Sequence, residues 1–73
     1  MSYFDIYLRD IEQERLPALH RQLIPLENGE RTLAERKPGG LWIDITREAI
    51  EQLRSAIAEF ELIANKLRNR ESL

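Results

Sequence analysis

From Thr46 to Arg70 the chain reads TREAIEQLRSAIAEFELIANKLRNR, and its apolar residues Ile50, Leu53, Ile57, Phe60, Ala64 and Leu67 are spaced three, four, three, four and three apart. That spacing is the a/d seam of a heptad helix. Ala49, Ala56 and Ile63 fall at the flanking g position. They widen the stripe to about three positions in seven, which suits a helical bundle better than a narrow zipper. A helix of this kind requires a partner surface. Its ends are marked as well: Thr46 is the expected N-cap, with Asp44 as the alternative, and Ile45 stands where it can staple against Ile50. Glu48 and Glu51 near the start, and Lys66, Arg68 and Arg70 near the end, complement the helix dipole.

The first segment, from Ser2 to about Ile24, has the same character. Phe4, Leu8, Ile11, Leu16, Leu19, Leu23 and Leu26 recur with a period of about 3.6 to 3.7, that of a straight helix. Ser2 is the expected N-cap, with Asp5 three residues on to complete a capping arrangement. Pro17 removes one helical hydrogen bond and its ring meets the carbonyl of Gln13, so a kink, or two helices meeting near Leu16, is expected. Pro25 disfavours helical geometry at Ile24, and Asn28-Gly29 is a strong turn signal.

Between these segments the residues GERTLAERKPGGLWIDI show no helical period. Lys37-Pro38-Gly39-Gly40 would interrupt any regular element. Leu41, Ile43 and Ile45 alternate with Trp42 and Asp44, the pattern of a short extended piece opposite Arg31 to Glu35. The other reading is an irregular loop whose Leu33, Leu41, Trp42 and Ile43 plug the end of a bundle. At about nineteen residues the connection is longer than the usual two to eight between helices, so it is expected to be functional or tied down.

A last helix of about 24 residues spans roughly 36 Å and a first of about 22 residues roughly 33 Å, lengths that match as an antiparallel hairpin. The fold class expected for residues 1–73 is therefore all-α and single-domain: a kinked or split first helix, a long second helix and a long ordered connection that includes at most a short β-like pair. Two helices leave part of the wide stripe uncovered. With 73 residues and no Cys, the chain has a thin core and no disulfide to reinforce it, so oligomerisation is the remaining support. The sequence predicts a homodimeric four-helix bundle, with Ile50, Leu53, Ile57, Phe60, Ile63 and Leu67 of the last helix and Leu8, Leu19 and Leu23 of the first carrying self-association. Ser55, Ala58 and Leu62 form a second stripe on the back of the last helix. The middle segment is expected to fold over it.

The sites that would carry chemistry are missing. With one His and no Cys, the chain lacks the four ligands of a structural zinc. The Glu-x-x-His pattern of a di-iron bundle is absent, and Asp10, Glu12, Glu14, Glu59 and Glu61 read as solvated charge. Gly39-Gly40 lacks the spacing of a phosphate loop. His20 has no acid at a spacing that would orient it as a base, so catalytic, metal and cofactor residues are expected to be none. The net charge is −2. Residues 1–30 hold six acids and three bases, 31–47 two acids and four bases, and 48–73 five acids and four bases, so positive charge concentrates in the middle. No apolar run approaches the roughly 20 residues of a membrane span, and the acidic start is unlike a signal peptide, from which a cytoplasmic location away from membranes is expected.

Trp42 admits two readings, a core plug, which is favoured, or a binding residue beside Arg31, Arg36 and Lys37, since Trp and Arg are frequent interface anchors. The expected function is that of a non-enzymatic accessory or adaptor protein that acts through protein–protein contacts on itself and on a larger partner. The alternative is a small dimeric nucleic-acid-binding or regulatory protein using the basic segment Arg31–Arg47. Its weakness is that a helix-turn-helix needs a far shorter connection and a basic second helix.

Overall fold

The computed structural model describes residues 2–70; the short tail 71–73, expected to lie past the last seam position, falls outside them. The chain runs as α1 (Tyr3–Asp10), a π-helical turn (Ile11–Arg15), α2 (Leu16–Glu27), β1 (Ala34–Arg36), β2 (Trp42–Asp44) and α3 (Thr46–Asn69). It is mostly helical, two helical arms joined through a short antiparallel strand pair. Among the described residues no helix is long and apolar enough to cross a membrane.

The first helical arm neither breaks nor splits at Pro17. Asp10, Ile11, Arg15 and Leu16 all keep right-handed helical dihedrals, and the Leu16 N–H donates to the carbonyl of Ile11, five residues back. Two constraints favour this wider turn. Pro17 has no N–H to give, and a π turn opens the ladder where its ring would crowd the Gln13 carbonyl. The apolar spacing asks for it as well: the step from Ile11 to Leu16 is five residues, so in an unbroken α-helix these two side chains would diverge by about 140°. Averaging the period over the whole segment conceals that step. At the far end Pro25 does not stop the helix at Ile24. The arm continues to Glu27, which buries Leu26 and lets Glu27 pair with Arg54 on α3.

The core lies between the two arms. Ile11 is fully buried, Ala64 is 1% exposed, and Leu23, Leu26 and Ile57 are also buried. Ion pairs hold the antiparallel register along its length: Arg54 Nε donates to Glu27 at 2.9 Å, Arg68 lies 3.3 Å from Glu12, and Arg70 donates to Asp5 at 2.9 Å. At the chain ends the expected capping box forms, the Asp5 N–H donating to Ser2 Oγ and the Ser2 hydroxyl to Asp5 Oδ2. Arg70 also donates to Ser2 Oγ at 3.2 Å and lies 4.6 Å from the ring centre of Phe4.

Thr46 takes a role different from the one its sequence position suggests. It is the first residue of α3, not its cap. Its N–H donates to Asp44 Oδ1 at 2.8 Å, and its hydroxyl accepts from the Leu33 N–H at 2.9 Å while donating to the Leu33 carbonyl. The Ile45 N–H also donates to that carbonyl, at 2.9 Å. The base of the strand pair is thus anchored to the start of α3. Asn28 Oδ1 accepts from the Glu30 N–H, and Gly29, with φ +83°, provides the left-handed step that ends the first arm.

Two outcomes follow from these contacts. Thr46→Val leaves the Leu33 N–H without its hydroxyl partner, and we expect a loss of about 1–2 kcal/mol in denaturant unfolding, with faster amide exchange at Leu33. Hydrogen bonds from the Ser2 side chain and then its backbone, together with the Arg70 charge, hold the Asp5 carboxyl below the usual aspartate range. A depressed folded-state value means the stabilisation is complete above the unfolded value of about 4 and fades as pH falls through the lower folded one. Melting temperature should therefore fall in that acid window, by a smaller amount in Asp5→Asn.

Candidate interaction surfaces

The strand pair forms an arm that extends from the end of the helices. Its register is Ala34↔Asp44, Glu35↔Ile43 and Arg36↔Trp42. The Lys37 N–H donates to the Leu41 carbonyl at 2.7 Å, and Gly40 N–H closes a turn onto the Lys37 carbonyl at 3.0 Å. Pro38 at the second position and Gly39 at the third, with φ +96°, are the residues a type II turn requires. Of the two sequence readings of the middle segment, the extended pair forms and the bundle plug does not. Trp42 is 65% exposed and Leu41 72% exposed, so within one chain Trp42 covers no core.

The reason is length. The molecule measures 54 × 26 × 18 Å, whereas 24 helical residues account for only about 36 Å, so the arm carries Trp42 past the last helical turn. All six strand residues are exposed. Arg36 lies 6.0 Å from the Trp42 ring centre and Lys37 pairs with Glu35 at 3.4 Å. Arg31, at the base of the arm, is exposed while its N–H donates to the Pro25 carbonyl. The candidate binding residues Arg36, Lys37 and Trp42 therefore share one projecting element, with Arg31 at its root. An isolated two-stranded hairpin is marginal in water.

The helices present a second surface. With about 100° per residue and Ile57 as the direction of the first arm, Phe60, Leu67, Ala49, Ala56 and Ile63 turn progressively to one side, and Arg54, Glu61 and Arg68 to the other. On α1, with Ile11 as reference, Tyr7, Tyr3 and Ile6 turn away from Asp5 and Glu12. The pairs Glu27–Arg54 and Glu12–Arg68 mark one side of the hairpin as polar, leaving the opposite side apolar. On that side Phe60, Ile63, Leu67, Ala49 and Ala56 are half-buried, and Tyr3, Ile6 and Tyr7 are exposed, Tyr3 at 90%. Arg15 spans it, 5.6 Å from the Phe60 ring centre and 2.5 Å from Asp10. The hydrogen bond to Asp10 raises the Arg15 guanidinium above its ordinary range. The π turn allows the contact, because it brings residues five apart onto one face.

Among the residues expected to carry self-association, Leu23 and Ile57 are buried inside the single chain, while Leu8, Leu19, Ile50, Leu53, Phe60, Ile63 and Leu67 are half-buried. The seam first closes the hairpin, and its flank remains accessible. Ser55, Ala58 and Leu62 lie exposed on the back of α3. The middle segment does not fold over them, because Thr46 directs it outward. His20 is exposed on α2, and among the described residues no group of three or more His, Asp or Glu side chains is arranged to hold a metal ion. No protein-family model, curated protein or solved structure matches the chain.

The extent of exposed surface is a property of the whole chain. It exposes 5875 Å², where a compact monomer of 8.6 kDa would expose roughly 4,700 Å². Its radius of gyration is 16.4 Å against roughly 11 Å for a compact domain of this length. Since Trp42 is outside the core, Trp42→Ala should cost less than about 1 kcal/mol, far below the ~3–5 kcal/mol of a core plug. A thermal melt at a dilution where the chain is monomeric distinguishes the two.

Proposed function

We propose that this chain is a small non-enzymatic adaptor that self-associates through the apolar side of its helical hairpin and uses the arm from Ala34 to Asp44 as a protein-binding element. The observation that supports the reading is the asymmetry of the hairpin. Ion pairs cover one side, while the other offers Ala49, Ala56, Phe60, Ile63 and Leu67 beside Tyr3 and Tyr7. Burying that side in a four-helix bundle would remove apolar surface worth about 25 cal/mol per Å². In a dimer the arm is present twice, and two linked weak contacts raise apparent affinity without any new interaction. Arg36 and Trp42, stacked at the surface, are residue types that anchor interfaces.

A second reading is nucleic-acid binding through the segment Arg31–Arg47, favoured by the same exposed Trp42 with Arg36 at its face, since bases stack on such platforms. It requires affinity that falls steeply with salt and with Arg36→Ala and Lys37→Ala.

Light scattering over a dilution series tests the first reading. The mass should double at high concentration, and Ile63→Asp should abolish the doubling while leaving helicity intact, because Ile63 is only half-buried within one chain. A wild-type monomer at every concentration removes self-association.

A further inference from the structure

The arm and the N-terminal turns of α1 are the two most exposed apolar regions, and they lie at opposite ends of a 54 Å molecule. One carries Leu41, Trp42 and Ile43, the other Tyr3, Ile6 and Tyr7. They cannot meet within one chain. Two copies placed antiparallel about a two-fold axis bring each arm onto the other copy's α1, both contacts forming at once. We propose that the partner of the arm is a second copy of this chain, bound at the start of α1 and the facing end of α3.

Three observations support that occupant. The first is length. The arm extends about 18 Å past the helices, which is the rise of about twelve helical residues, so in full overlap it covers the stretch from Tyr3 to about Glu14. What remains of the helices then overlaps only in the middle, around Ala18, Ala49 and Ala56. Small side chains there allow close helix approach, whereas Phe60, Ile63 and Leu67 lie under the arm. The second is charge. From Arg31 to Leu41 there are three bases and one acid, and from Ser2 to Arg15 four acids and two bases. The third is area. The surface in excess of a compact monomer, roughly 1,200 Å², is enough for the ~800 Å² per partner of a standard interface. Ladder geometry agrees, because the bonded pairs Lys37–Leu41 and Ile45–Leu33 leave the backbone groups of Arg36 and Trp42 directed outward, available to a neighbour.

This inference rests on self-association through the apolar side, and its test separates the two. The chain has no Cys, so single cysteines report contacts cleanly. Arg9→Cys and Lys37→Cys, both at exposed positions, are mixed and treated with a flexible bis-maleimide, with mass and Trp42 emission followed on the unmodified protein. The expected result is a covalent heterodimer several-fold more abundant than either homodimer, and Trp42 emission that moves to shorter wavelength as the dimer forms. Efficient Lys37→Cys homodimers place the arms side by side and overturn the proposal. A dimer that yields no mixed product and leaves Trp42 emission unchanged overturns it too, with self-association intact. A monomer at every concentration overturns both.

Discussion

The five-residue step from Ile11 to Leu16 is the constraint on which the rest of the structure depends. An α-helix would turn one of these residues out of the seam, and Pro17 would lack a place for its ring. A single π turn accommodates both, keeping Ile11 and Leu23 in line against Ala64 and Ile57, all four of them buried. Everything downstream takes its register from that alignment. The pairs Glu12–Arg68 and Glu27–Arg54 span the turn from either side, and a one-residue slip would separate both. The turn also brings Asp10 beside Arg15, and so places a guanidinium over Phe60.

The hairpin that results is sufficient to fold on and insufficient to cover itself. Five side chains, Ile11, Leu23, Leu26, Ile57 and Ala64, make up its buried apolar core among the described residues. A wide seam on α3 faces a single partner arm, so its Ala49, Ala56 and Ile63 flank is left at the edge. Association is the physical remedy open to a chain without disulfides. The arm belongs to the same balance: a strand pair with both faces in water is weakly held, and a second surface would stabilise it.

Much of the helical architecture was legible in local residues. The Ser2–Asp5 capping box, the heptad of α3, the matched helix lengths and the Asn28-Gly29 turn all appear where spacing and residue type place them. The π turn was legible too, but only in the single five-residue step, which an averaged period hides. Pro25 misled because its cost is one N–H in a last turn, less than the gain from burying Leu26. Thr46 misled because a hydroxyl at a helix start can serve either the helix or a neighbouring strand, and Leu33, thirteen residues away, decides which. Trp42 was the harder case. Residue type suggests a core, and only the distance between the arm and the helices shows that no core lies beneath it.

By itself the sequence determined the two amphipathic helices, their antiparallel pairing and the break between them, because periodicity, caps and turn residues act over a few neighbours. Tertiary structure alone decided where the connection goes and which flank of the seam stays open. Those depend on contacts between residues far apart in the chain, Leu33 with Thr46 and Arg54 with Glu27. Such contacts leave no periodic trace in the sequence, since each is a single meeting of two side chains fixed by the packing of everything between them.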